Sequence, residues 1–184
     1  MPIKASLDVI DWKILRELQK DGRVTNIELS RRVGISAPPC LRRVRRLENT
    51  GLIRGYRALL NAPALGWDLV VFCMVGLNRQ SNADLGIFAK TTRKWPIVRQ
   101  AWMVSGESDF LLYCVARNLT SFQSFVIEEL TPTPNVETVR TALNIRQVKD
   151  EGPIALDDRC VAGVGPEQAA QAAADKPPSA FALP

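Results

Sequence analysis

Along the first fifty residues apolar side chains return at helical intervals. Leu7, Ile10, Ile14, Leu15 and Leu18 share one side of a 3.6-residue period while charges take the others, which predicts a helix over 7–20 that stops at Asp21-Gly22. Thr25 followed three residues later by Glu28 reads as a capping box, with the Thr25 hydroxyl accepting from the Glu28 amide and the Glu28 carboxylate reaching back to the Thr25 amide. A short helix through Ile27, Leu29 and Val33 follows and ends near Gly34, whose access to positive φ allows a tight turn. A third helix opens at Ser36 as a capping side chain. Its Pro38-Pro39 fit because first-turn amides have no intrahelical partner to lose, and it runs to about Asn49.

At 100° per residue Cys40, Leu41, Val44 and Leu47 gather on one side of that third helix, Arg42 and Arg46 point away from it, and Arg43 and Arg45 flank them. Two helices joined by a turn over 33–36, the second of them basic, fit a helix-turn-helix. The run 52–60, with Arg54 and Arg57, predicts an extended ribbon, a wing, before Asn61-Ala62-Pro63 opens a linker.

The period then changes. Strand patterns fall at 69–77, 98–104, 110–116 and 136–148, with helical patterns at 82–92 and 119–130, so the order is βαββαβ. That order predicts a ferredoxin-like antiparallel sheet with both helices on one face. Both faces of the first strand are apolar, so its helix-free face is expected to pack on a second subunit. The expected class is α+β: a winged helix-turn-helix over 1–60, a linker over 61–67, a ferredoxin-like ligand-sensing domain over 68–150, and a tail over 151–184. Nine Ala, five Pro and three Gly among its 34 residues predict disorder for that tail, save for a transient helix over 167–174.

Charge sharpens the division. The total of +5 separates into +7 over 1–60, +1 over 61–150 and −3 over 151–184, a polyanion-binding head on a neutral body. The chain has no histidine, which removes imidazole metal ligands and Ser/His or Cys/His nucleophile pairs. Its four cysteines lie far apart without a C-x-x-C pair, so neither a metal knuckle nor a redox motif is expected, and Cys73 and Cys114 read as small buried hydrophobes. No cofactor, metal or catalytic residue is expected. No apolar run suffices to span a membrane and the N-terminus carries acids where a secretory signal is apolar, which points to a cytoplasmic location.

Double-stranded DNA is the polyanion that best fits a basic helix after a capped helix and turn. Ser36, Ala37, Pro39 and Arg42 would face base edges, while Arg43, Arg46, Arg54 and Arg57 would mostly neutralise phosphates.

The stretches 7–23, 26–30, 39–48 and 51–53, with Val104-Ser105-Gly106-Glu107-Ser108-Asp109-Phe110-Leu111-Leu112 and Thr131-Pro132-Thr133-Pro134-Asn135-Val136, closely resemble the Lrp/AsnC family over about residues 5–150. The resemblance implies a transcriptional regulator that dimerises through its sheets, joins into octamers or 16-mers, and senses an amino acid between dimers near the loop joining the second and third strands. Here that loop is Ser105, Gly106, Glu107, Ser108 and Asp109, with the family's G-x-x-D spacing. Gly106 would admit a ligand close to the backbone, exposed amides would hold a carboxylate, and Asp109 would pair with an α-ammonium. Trp102 and Met103, just before the loop, would supply an apolar wall or equally belong to the sheet core, and the resemblance adds Thr141 on the last strand. Val139 stands where the family is polar, and Ser108 where an aromatic is common. Two rival readings are an effector-independent architectural DNA-binding protein and an enzyme resembling sirohaem decarboxylases, which rely on histidine that this chain lacks.

Overall fold

A computed structural model of the chain describes residues 7–149 and 152–156. The remainder of the tail, with Cys160 and the helix expected over 167–174, lies outside the described residues. The chain divides into two compact units, Met1–Ala58 with Glu151–Pro184, and Leu59–Asp150. Among the described residues no helix is long and apolar enough to cross a membrane.

The first unit holds three helices: α1 (Val9–Lys20), α2 (Asn26–Val33) and α3 (Ala37–Asn49). A capping box starts α1, in which the Asp8 side chain accepts from the Asp11 amide and the Asp11 side chain accepts from the Asp8 amide. At α2 only half of the expected box forms. Thr25 Oγ1 accepts from the Glu28 amide at 3.2 Å, but the Glu28 carboxylate takes Arg32 Nε at 3.0 Å instead of reaching back, a charged donor winning over a neutral one. Gly34 closes α2 at φ 79°, a left-handed conformation suited to glycine. Ser36 occupies the N-cap of α3 with extended backbone, yet its hydroxyl makes no capping bond, contrary to expectation. The turn is held instead by Asn26 Nδ2, which donates to the Ala37 carbonyl at 2.8 Å. Ile14, Leu29, Val33, Cys40 and Leu47 form the core.

The expected ribbon differs too. Residues 52–60 form no strand among the described residues, and Leu59 and Leu60 are exposed. A lone run has no ladder partner, and an unpaired strand is not stable in water. The tail departs in the other direction: residues 152–156, expected to be disordered, run against α1. Gln19 mimics a strand partner there, its Oε1 accepting from the Ile154 amide at 2.8 Å and its Nε2 donating to the Ile154 carbonyl at 3.2 Å, while Arg16 Nε donates to the Leu156 carbonyl at 2.7 Å.

The second unit runs β1 (Leu69–Leu77), α4 (Asn82–Thr92), β2 (Val98–Met103), β3 (Phe110–Ala116), α5 (Leu119–Phe125), a π turn (Val126–Leu130) and β4 (Val136–Leu143). The sheet order is β2-β3-β1-β4 with every neighbouring pair antiparallel, as a ferredoxin-like fold requires. Alternation sends Val71, Cys73, Val75 and Leu77 of β1 and Phe110, Leu112, Cys114 and Ala116 of β3 to one face, where Phe88, Trp95, Phe122, Phe125 and Leu130 cover them. Two boundaries move. The helix expected to run straight to residue 130 changes its winding at Val126, where the Thr131 amide bonds the Val126 carbonyl across five residues, and this wide turn carries Leu130 to full burial. β4 stops at Leu143 instead of 148: the Asn144 amide still bonds the Val70 carbonyl, but β1 begins at Leu69 and offers residues 146–148 no partner, and Ile145 and Val148 stand fully or mostly exposed.

Candidate DNA-reading helix and ligand loop

Four arginines sit on α3 in two environments. Arg42 and Arg45 are exposed and make no ion pair with any described acid. Arg43 and Arg46 turn to the start of α1. Arg43 Nη1 donates to Asp8 Oδ2 at 2.7 Å and to Asp11 Oδ1 at 2.9 Å, and Arg46 Nη2 donates to Asp11 Oδ2. The Asp11 side chain is fully buried. Its hydrogen bond, and then that of Asp8, hold the Arg43 guanidinium above its ordinary range. Partial burial of Asp8 opposes its ionisation, but the Asp11 amide and the Arg43 guanidinium outweigh it and keep the Asp8 carboxyl below its usual value.

Pro39, Arg42, Arg43 and Arg46 line a shallow cleft of about 270 Å³. Ser36 and Ala37 stand at the amino end of the same helix, where Pro38 and Pro39 carry no N–H and the positive end of the helix dipole is left to favour an anion. Arg54 and Arg57 are exposed beyond its other end. The expected role of Arg43 and Arg46 as free phosphate ligands therefore meets a competitor within the unit. Periodicity sends the Arg46 stem outward, but its guanidinium folds back to the buried carboxylate. Asp8 and Asp11 are the functional residues that pattern reading passed over; the signal was an acid pair at i, i+3 in a basic segment, matching the i, i+3 spacing of Arg43 and Arg46.

In the second unit the loop after β2 is pinned at one end. Asp109 Oδ2 accepts from the Leu77 amide at 2.7 Å and the Asp109 amide donates to the Val75 carbonyl at 2.9 Å, which stabilises the irregularity at Gly76/Leu77 where β1 and β4 shift register. Asp109 thus spends one carboxylate oxygen on the sheet. Gly106 lies at φ 128°, open to few other residues. The amides of Ser105, Gly106, Glu107 and Ser108 donate to no described group. Glu107 Oε2 meets Arg140 Nη1 of β4 at 2.7 Å, an exposed pair.

Register separates the remaining candidates. Arg140 pairs with Met74 and lies on the helix-free face, while Thr141 pairs with Cys73 on the helix-covered face. Thr141 lines a cleft of about 260 Å³ with Leu119, Phe122, Gln123, Val126, Ile127 and Leu143, a lining that includes no residue of the loop. Met103 pairs with Phe110 and is exposed. Cys73 and Cys114 are buried with their sulfurs 3.8 Å apart; their shared hydrogen bond and burial push the Cys114 thiol up, the signature of inert core sulfur.

Comparison with known proteins assigns both units. Residues 7–54 match the winged helix-turn-helix DNA-binding model and residues 70–154 match the Lrp/AsnC ligand binding domain. A leucine-responsive regulatory protein of Rhizobium meliloti is 73% identical over 150 residues, covering 82% of this chain and 96% of that protein. The Escherichia coli K12 leucine-responsive regulatory protein is 40% identical over 153 residues, covering 83% and 93%. Among solved structures, a Neisseria meningitidis transcriptional regulator in complex with L-Met superposes with a TM-score of 0.77 at 36% identity, covering 82% of this chain and 97% of that one. An AsnC family transcriptional regulator from Agrobacterium tumefaciens gives 0.76 at 29% identity, covering 82% and 97%.

Proposed function

Since the chain belongs to the Lrp/AsnC family of DNA-binding transcriptional regulators, we propose that it is a cytoplasmic, non-enzymatic regulator that reads promoter DNA with α3 and senses an amino acid at the loop 105–109. The domain limits follow the same division: reading head over 1–60, linker over 61–67, ligand and assembly domain over 68–150. The observation that carries the ligand class is the loop itself. Four amides without partners suit a carboxylate, and Glu107 and Asp109 beside them suit an ammonium. Binding would compete with the Glu107–Arg140 pair, which couples the loop to β4. The L-Met complex of the Neisseria meningitidis regulator supports an amino acid as the ligand.

Assembly uses the helix-free face of the sheet. Phe72 and Tyr113 pack there with tilted rings whose centroids lie 5.6 Å apart, half-buried, and Trp102 next to Leu111 is 43% exposed. A face of this character is stable when covered by a second copy, and dimers then join into octamers or larger rings. The ligand shifts the population of assemblies, and so the spacing at which paired heads meet half-sites. Mixing the protein with DNA flanking its own gene and with unrelated DNA at several salt concentrations tests this, with sedimentation in parallel. A regulator gives a specific, salt-sensitive shift and a multimer that changes with one amino acid. Uniform binding to both DNAs supports the architectural role instead.

A further inference from the structure

The arginines of α3 form two i, i+3 pairs with opposite fates. Arg43 and Arg46 share one carboxylate, Asp11, whose side chain has no exposed surface and whose Oδ2 also accepts the Asp8 amide at 3.1 Å. Arg43 adds Asp8 at 2.7 Å. A carboxylate without solvent must keep its partners, because leaving it unpaired in the interior costs far more than an exposed cation gains at a phosphate. Arg42 and Arg45 have no such claim on them: Arg46 is exposed as they are, but unlike it neither Arg42 nor Arg45 meets a described acid. The two pairs therefore differ in availability, although all four carry the same charge and lie within one and a half turns of one helix.

We propose that Asp11 is a positioning residue for DNA reading. It withdraws Arg43 and Arg46 from the phosphate backbone, fixes the rotation of α3 about its own axis against α1, and leaves Arg42 and Arg45 as the α3 cations that meet DNA. The inference rests on α3 being the DNA-facing helix. It also assigns the acid pair a role in specificity. Every phosphate contact strengthens binding to all sequences alike, so removing two cations from that pool lowers unrelated-DNA affinity more than it lowers base-edge readout.

The test is the slope of log affinity against log salt for the full-length protein on the DNA flanking its own gene and on an unrelated duplex. Arg42→Gln and Arg45→Gln should each make the slope shallower by about 0.9, the increment of one phosphate, while Arg43→Gln and Arg46→Gln leave it unchanged. Asp11→Asn, nearly isosteric, should free both internal arginines and steepen the slope by up to about 1.8, with tighter binding to unrelated DNA. A merely structural role for Asp11 would not steepen it. If circular dichroism finds Asp11→Asn unfolded, the glutamine variants decide: Arg42→Gln and Arg45→Gln must each flatten the slope while Arg43→Gln and Arg46→Gln leave it unchanged. The proposal is overturned if Arg46→Gln flattens the slope as much as Arg45→Gln, or if folded Asp11→Asn leaves it unchanged. Should none of the four glutamine variants move it, α3 does not face phosphates, and the reading beneath the proposal falls with it.

Discussion

The two units are held together by different means. The ligand-binding unit closes over thirteen buried core residues, five of them large aromatics, whose rings meet edge to face or tilted: Phe88 lies 4.7 Å from Phe110 and Trp95 lies 5.3 Å from Phe125. The reading head buries five in its core cluster, and its joint between α1 and α3 is ionic, two guanidiniums on one buried carboxylate. A small three-helix core has little apolar surface to spend on orientation, so charge takes over that task. The contrast teaches that a basic helix is not automatically a helix of free cations; part of its charge can be structural. Solvent conditions should then act on the units unequally.

Truncating a core aromatic is the strongest way to test that inequality. Phe110→Ala should destabilise the ligand-binding unit by about 3–5 kcal/mol, with hydrogen exchange in α1 to α3 unchanged. Equal loss of protection in both units would break the comparison. Next in size is Asp11→Ala, which removes the charged hydrogen bonds to Arg43 and Arg46 and should cost the head about 2 kcal/mol, measured by the same exchange; its guanidiniums remain partly exposed, so the penalty stays below that of stranding a buried charge. Gln19→Ala deletes both bonds to Ile154 and should cost about 1 kcal/mol or less, seen as faster proteolysis at residues 152–156 with the helices intact.

Acid should give the smallest effect. The Asp8 carboxyl is held below its ordinary value of 3.8 in the folded head, so its stabilisation is present above that value and is lost as pH falls through the lower folded one. Solvent screening at this half-exposed group keeps the loss under about 1 kcal/mol. Exchange in the head should accelerate over that window before the sheet responds, and Asp8→Asn should abolish the difference.

Where one period ruled a segment without competition, its limits were legible from residues alone. β1, β3 and α4 begin and end where alternation or helical spacing does. The misses share a cause, a partner that lies elsewhere in the chain. Residues 146–148 do not extend β4 because β1 begins at Leu69, and residues 52–60 form no strand because no second strand is offered. Glu28 leaves its box for Arg32. In the ligand loop, Gly106 and Asp109 carry the expected spacing, yet the bond from the Leu77 amide to Asp109 depends on register, which no local pattern encodes. Thr141 stands out only through family resemblance, and pairing with Cys73 sets it on the helix-covered face, away from Arg140.

The most direct measurement is the affinity for the DNA flanking the protein's own gene at one fixed salt concentration, with and without each common amino acid. The account predicts that at least one amino acid changes the dissociation constant by about fivefold or more, the ordinary scale of coupling between sites. Asp109→Asn, which keeps an acceptor for the Leu77 amide and loses the charge, should blunt that change while leaving ligand-free DNA binding intact. An affinity that stays flat across the whole panel would contradict it.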